Sequence, residues 1–355
     1  DALPISCISS LVHQTCPETE ILLVNAASTD TSGKICAKWA KERPQIRVIR
    51  SESPSLAAAA NAGLAEARGK YIQFARGFDK LDLEMTQKLY DALTSVGAQV
   101  AVCGYIERGE SRKGSTRRPC IETMQKQTCS FDDFSVLMKY WLTDPIVSAC
   151  WNKLYDADII REQQITFRED VTAAGAVSAG AGSDASGPAC AVSDLASDAA
   201  QMLFDLEYFC HADTYAVVNE TLYDYYSAPP AGYTSLTKEA VDERWALARD
   251  AVFPALKRLF EAHPGSDESV RAAVCAYLLV EHFAYRVGSL KKKENLEWLK
   301  TVAADEAVSD ALKSFRGFVT EGPQNLGIQL IQNLMNGQMR TLSYRGFRTL
   351  YIPKN

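Results

Sequence analysis

An α/β fold with a largely parallel sheet, followed by a helical domain, is what this sequence predicts, and three observations carry it. Short apolar runs alternate with amphipathic or alanine-rich segments through residues 4–103, the pattern of strands joined by crossover helices. The central run, Tyr71-Ile72-Gln73-Phe74-Ala75, is broken by Gly77 and followed by Asp79 and Asp82. Beyond Pro229-Pro230, Val241, Trp245, Ala248, Val252, Leu256 and Leu259 recur at helical steps.

Each element has its reason. Ile5, Ile8, Leu11 and Val12 put one apolar face on a helix over 4–14. Residues 21–24 form a strand stopped by Asn25-Ala26-Ala27-Ser28-Thr29-Asp30, a polar turn rich in cap-forming residues. A helix over 32–41 leads through Pro44 to a strand at 46–49, and an alanine-rich helix reaches Arg68 with Gly69 as its C-cap. A strand at 71–75, a helix over 82–95 and a strand at 99–103 follow. The four strands are expected in one mostly parallel sheet flanked by helices. Ligands of such sheets bind beyond the carboxyl ends of the strands. The loop Arg76-Gly77-Phe78-Asp79 is therefore where a phosphate or metal would sit.

At 355 residues, with 47% hydrophobic and 23% charged residues, the chain has room for two domains, or one with an appendage. A net charge of −6 argues against general nucleic-acid binding. No apolar run is long enough to span a bilayer, and no signal-peptide pattern opens the chain. The ten cysteines are scattered without a CxxC pair, which fits reduced thiols and a cytoplasmic protein.

Residues 107–119 are polar and basic, with Arg108, Arg112, Lys113, Arg117 and Arg118. A solvated loop is expected there, and a basic rim for an anionic substrate is the sharper reading. A helix over 131–141 precedes the compact group Trp151-Asn152-Lys153-Leu154-Tyr155. Residues 171–193 are nearly all small and read as a flexible loop, followed by a helix over 194–211 and short strands at 215–218 and 222–226. Helices are expected at 267–288, 294–303, 305–316 and 324–336, with Lys291-Lys292-Lys293 as a solvated turn. Arg340, Arg345 and Arg348 among Leu342, Tyr344, Phe347 and Leu350 make a candidate peripheral contact with an anionic inner membrane face.

Residues EILLVNAASTDTSGKIC, the helix ending Ala59-Ala60-Asn61-Ala62-Gly63, and GKYIQFARGFD resemble the nucleotide-sugar half of glycosyltransferase family 2. CWNKLYDADII resembles its acceptor-side segment, and LASDAAQMLFDLEYFCHADTYAVVNETLYDYY the stretch carrying its catalytic acid pair. The resemblance implies a GT-A fold: a nucleotide-sugar part at 1–105, an acceptor-side part at 106–230 and a helical domain at 231–348. It implies sugar transfer from a nucleotide-diphospho-sugar to a glycan acceptor in cell-surface polysaccharide biosynthesis. Asn25, Ser28, Asp30, Asn61, Arg76 and Asp79 become donor-side candidates, Trp151, Asn152 and Lys153 acceptor-side candidates, and Asp198 the catalytic base.

The family uses Mg²⁺ or Mn²⁺ on an Asp-x-Asp turn, since hard cations want oxygen ligands. This chain departs there. Arg76-Gly77-Phe78 stands at that turn, Asn25-Ala26-Ala27 replaces Asp-Asp-Gly, Ala60 replaces an arginine, and Ser197 replaces one catalytic acid. No metal site is expected at 76–79, and Arg76 is a candidate partner for a diphosphate in place of the metal's charge. Two functions stay open. One is a transferase with an altered donor site; the other is a silent pseudoenzyme that binds a sugar, a nucleotide or a partner enzyme. The family's first strand is missing before the helix at 4–14, and residues 349–355 resemble it. That segment is expected to pair between 21–24 and 71–75, within one chain or swapped between two copies as a homo-oligomer.

Overall fold

The computed structural model describes residues 2–111, 114–120, 128–135, 149–171, 190–226, 237–265, 268–305, 308, 323–335 and 340–351. The chain divides into two compact units. The first comprises Asp1–Phe134 and Ile146–Pro229, the second Ser135–Pro145 and Pro230–Asn355.

The first unit is α/β, as expected, but its strands lie in two sheets. β1 (Ile21–Ala26) and β2 (Ile46–Ser51) pair in parallel by themselves. They are connected through α2 (Ser32–Glu42), which follows α1 (Ala2–Val12). A small cluster of Ile8, Ile21, Leu23 and Ile46 packs beneath this pair. The alanine-rich helix α3 (Leu56–Glu66) comes close to β1: a Cβ on Gly63 would sit 3.3 Å from Val24 Cγ2.

Among the described residues the second sheet has seven strands. β3 (Tyr71–Gln73) pairs antiparallel with β8 (Lys153–Asp156), which pairs antiparallel with β5 (Val100–Ser111), which runs parallel to β9 (Thr214–Tyr226). β4 (Lys80–Leu81), β6 (Gly114–Cys120) and β7 (Thr128–Ser130) complete it. Expecting one mostly parallel sheet needs correcting: 21–24 and 46–49 are parted from 71–73 and 100–103, and the large sheet is mixed. β8 inserts between β3 and β5 in the opposite sense, so those two strands do not touch. Helix α4 (Met85–Val96) buries Met85, Leu89 and Leu93 at four-residue spacing and ends at Gly97, whose φ of 64° is the left-handed cap geometry.

Several stretches differ from their sequence reading. The basic segment at 107–119 is no open loop, because β5 runs on to Ser111 and pairs with β6 from Tyr105 to Cys120. Arg108 pairs with Asp224 at 2.7 Å. The short strands at 215–218 and 222–226 are one continuous β9, with a register shift where it passes Cys103 and Gly104. Of the flexible loop at 171–193, residues 190–193 already belong to helix α7 (Cys190–Phe209), and 172–189 lie outside the described residues. Helix α5 covers Phe131–Ser135, and α6 covers Ala157–Glu162.

In the second unit, α8 (Lys238–Leu247) and α9 (Phe253–Ala262) are joined by a π-helical stretch, Ala248–Val252. Pro254 explains the wider turn: it has no N–H to donate and its ring crowds the carbonyl four residues back. The lysine triplet opens α11 (Lys292–Ala303) instead of forming a turn. Glu294 Oε2 accepts from the Lys291 N–H at 3.1 Å, and α10 (Glu268–Ser289) precedes it. α12 (Pro323–Met335) and α13 (Arg340–Tyr351) close the chain; the expected helix at 305–316 falls almost wholly outside the described residues.

Helix α13 overturns one expectation. Leu350 and Tyr351 are helical, so 349–351 supply no strand to the first unit, and 352–355 lie outside the described residues. Arg345 and Arg348 are exposed, while Tyr344 and Phe347 are buried against Phe283 within their own unit. No helix among the described residues is long and apolar enough to cross a membrane.

The core of this unit contains Trp245, Phe283, Trp298 and a buried histidine, His282. Burial, then the guanidinium charges of Arg244 and Arg286, push His282 down from 6.5 to about 3. Its neutral form is thus favoured by folding, and the stability it contributes is complete above pH 6.5 and lost as pH falls towards 3. Between pH 7 and pH 5 the second unit is expected to lose about 2 kcal/mol through this group. Urea midpoints at the two pH values should converge in His282→Phe; an undiminished difference assigns the effect to other residues.

Candidate donor site

Two clusters collect the candidate residues of the first unit. One lies beyond β1. Asn25 Oδ1 accepts from the Ser28 N–H at 3.0 Å, and the Ala27 N–H donates to the Asn25 carbonyl at 3.0 Å. Asp30 Oδ1 accepts from the Ser32 N–H at 2.9 Å and so starts α2. That bond, first among its causes, holds the exposed Asp30 carboxyl below its ordinary range. The turn is tight enough that a Cβ on Gly33 would lie 2.8 Å from Asn25 Nδ2.

Asn25, Ala27, Ser28 and Thr29 line a shallow groove of about 420 Å³ together with Val48 and Arg50 of β2. The groove offers an exposed apolar side chain in Val48, hydroxyls in Ser28 and Thr29, and a cation in Arg50, which is 3.6 Å from Glu52. Such a mixture suits a flat polar ring carrying a charged group.

Ala27 has φ of 50°, a left-handed conformation that crowds a Cβ. Ala27→Gly is expected to stabilise the protein by about 1 kcal/mol, the strain relieved outweighing the freer unfolded chain. A lower urea midpoint in the variant would show that the turn carries no strain.

The second cluster is the loop after β3. Asp79 is fully buried, and its carboxylate accepts from the Tyr223 hydroxyl at 2.7 Å and from the Tyr226 N–H at 2.9 Å. Arg76 Nε is 3.5 Å from Asp79 Oδ2, and its guanidinium lies over the Tyr225 ring, 4.6 Å from the centroid. The Arg76 N–H donates to the Tyr223 hydroxyl at 3.1 Å. Asp79 is the one carboxylate in this loop, and its oxygens are taken up by these donors. Phe78, at the middle of the turn, is exposed and brings no ligand atom. As placed, residues 76–79 do not fit a divalent cation, which needs several free oxygens. Among the described residues no group of three or more His, Cys, Asp or Glu is arranged to hold a metal.

The remaining candidates have other duties. Asn61 is saturated by the segment after α6: its amide donates to Phe167 O and Glu169 Oε1 at 2.9 Å each and accepts from the Phe167 N–H at 2.8 Å. It pins α3 to that segment. Trp151, Asn152 and Lys153 are 2%, 0% and 0% exposed, so the proposed acceptor surface is a buried cluster. Trp151 stacks on Tyr223 at 4.6 Å and on Tyr225 at 4.9 Å. Asn152 Nδ2 donates to Cys103 O at 3.0 Å. Lys153 Nζ donates to Asn152 Oδ1 at 3.0 Å and pairs with Asp205 Oδ2 at 3.1 Å, while Tyr155 donates to Asp205 Oδ1 at 2.5 Å. Burial raises the Asp205 carboxyl, against the pull of Lys153. Asp198 lies inside α7, well past its first turn, so it is no N-cap; its side chain lies outside the described residues.

Sequence reasoning missed Tyr223, Tyr225 and Asp205. The signal was present for the tyrosines: Leu222-Tyr223-Asp224-Tyr225 places two rings on one side of β9 by strand alternation. Asp205 had no such signal, since a carboxylate two turns beyond Asp198 reads as an ordinary helix residue.

Comparison with known proteins bears on the family and the fold. The family description "Glycosyl transferase family 2" matches residues 5–162. This segment belongs to glycosyltransferase family 2. Among curated family relatives, the chain is 29% identical to the uncharacterized glycosyltransferase EpsJ of Bacillus subtilis over 165 residues, 46% of this chain and 47% of EpsJ. It is 28% identical to the glycosyltransferase GlyA of Streptococcus pneumoniae over 160 residues, 44% of this chain and 23% of GlyA. The match thus spans less than half of either relative. Among solved structures, S. aureus TarS in complex with UDP-GlcNAc superposes with a TM-score of 0.61 at 15% identity, covering 99% of this chain and 87% of that one. At that identity the likeness establishes the GT-A fold alone.

Proposed function

We propose that the chain binds a nucleotide-diphospho-sugar and serves sugar transfer to a glycan acceptor in cell-surface polysaccharide assembly, with an altered donor site. The observation that carries this reading is the groove of Asn25, Ala27, Ser28, Thr29, Val48 and Arg50 at the carboxyl ends of β1 and β2, within the family segment. Open α/β sheets take nucleotides at that edge. TarS is bound to UDP and to UDP-GlcNAc in its structures, which supports a nucleotide sugar as the class of ligand.

A second reading, a silent binding module, is favoured by Arg76-Gly77-Phe78 at the turn where the family keeps acids. A silent module that keeps the nucleotide differs from a transferase in turnover alone, whereas one that holds a sugar or a partner enzyme differs already in nucleotide binding. Thermal unfolding with UDP, GDP, ADP, CDP and dTDP, each with and without Mn²⁺, tests nucleotide binding. A bound nucleotide at 100 times its Kd should add about 2.7 kcal/mol of apparent stability. Val48→Asp should abolish the gain, by placing a carboxylate where the groove offers the ligand's ring an apolar contact. No shift with any nucleotide would overturn the proposal. Release of free sugar or a glycosylated product from the matching nucleotide sugar then separates transferase from silent module.

A further inference from the structure

We propose that the Arg76 guanidinium takes the part of a divalent cation and binds the diphosphate of the ligand directly. The inference rests on the nucleotide-sugar reading above and concerns how the pyrophosphate charge is met. Arg76 and Phe78 stand where the family turn has its two metal-holding carboxylates, so a fixed organic cation takes the place of a bound metal while Asp79 stays as its counter-charge. A guanidinium suits that exchange, because its planar fork matches phosphate oxygens in pairs and it is weakly hydrated.

The surroundings of Arg76 hold it in one place. A closed ring of contacts runs from Arg76 to Asp79, on to the Tyr223 hydroxyl, through Trp151 to Tyr225, and back under the guanidinium. The Trp151 and Tyr225 planes are inclined by 13°, so Tyr225 is backed by a second ring and cannot tip away. Burial opposes the charge on Arg76, but Asp79, Tyr225 and Tyr223 together outweigh it and keep the group protonated. The side chain remains 19% exposed, so it keeps a route to ligand. Beside it Gly77 has nothing within 4 Å of where a Cβ would stand, leaving the backbone approachable. A lone surface arginine would be solvated and mobile; this one is aimed.

The test is calorimetry on the full chain with inorganic pyrophosphate, with UDP and with uridine, first in EDTA and then in Mn²⁺. If another nucleotide gives the largest thermal shift, that nucleoside and its diphosphate replace the uridine pair. Binding of the diphosphates in EDTA within about threefold of that in Mn²⁺ is expected. Arg76→Gln should weaken the diphosphates by about 30-fold or more and leave the nucleoside unchanged, while Arg76→Lys should recover part of the loss. Since Arg76→Gln strands the buried Asp79, the pair Arg76→Gln with Asp79→Asn provides a charge-balanced control whose folding is checked by its urea midpoint. Diphosphate binding that needs Mn²⁺ and survives Arg76→Gln would overturn the inference while leaving the nucleotide reading intact. Binding of pyrophosphate through Arg76 with no nucleoside affinity would uphold the inference and sink that reading. Absence of binding by all three probes ends both.

Discussion

Replacing Lys153 by methionine is expected to destabilise the first unit by about 3–5 kcal/mol, the usual consequence of removing one partner from a buried ion pair. Lys153 and Asp205 are both fully buried, and Tyr155 commits its hydroxyl to the same carboxylate. Methionine fills the space but leaves Asp205 either charged in an apolar core or protonated at a cost. Urea unfolding followed by near-ultraviolet circular dichroism reads the loss. The double variant Lys153→Met with Asp205→Leu should recover most of it, since no charge is then stranded, though the Tyr155 hydroxyl loses an acceptor worth about 1–3 kcal/mol. A single variant as stable as the parent would show that the pair contributes nothing.

Asp79→Ala should cost a comparable amount, about 3–5 kcal/mol, in the complete absence of metal. The substitution takes the acceptor from the Tyr223 hydroxyl and the Tyr226 N–H and the counter-charge from Arg76, all at once. Equal midpoints for variant and parent in EDTA, with a gap opening only in Mn²⁺, would instead return Asp79 to the role of metal ligand.

What the sequence made legible follows from how local each signal is. The helices and strands of residues 2–103 are announced by apolar spacing and by the Asn25–Asp30 turn, and each occurs close to its expected place, although α3 ends at Glu66 with Ala67 as its C-cap and not at Gly69. Strand direction and partner are not local. Nothing in Lys153-Leu154-Tyr155-Asp156 says that it inserts between β3 and β5, and that insertion made the large sheet mixed. The same holds for the candidate residues. Asn25, Ser28 and Arg76 stand where a ligand can reach them or line a groove, as the turn chemistry implied. Trp151, Asn152 and Lys153 were misplaced because a compact group of aromatic, amide and ammonium looks like a sugar site, while its burial depends on β9 and α7, far away in the chain. The same dependence hid Asp205.

Among the described residues the groove beyond β1 and β2 rests on a sheet of two strands, held by a small cluster around Ile8, Ile21, Leu23 and Ile46. Two strands are close to the least that can persist, so this corner should breathe more often than the seven-stranded sheet. Its amide hydrogens are expected to exchange through local openings of lower free energy than those of β5 and β9. A nucleotide settling there would have to quieten that motion before it gains affinity, and the quieting itself would be visible as slowed exchange at Leu22, Leu23 and Val48. The rate at which a ligand is captured would then be governed by how long this corner stays shut, a kinetic property written into the strand count.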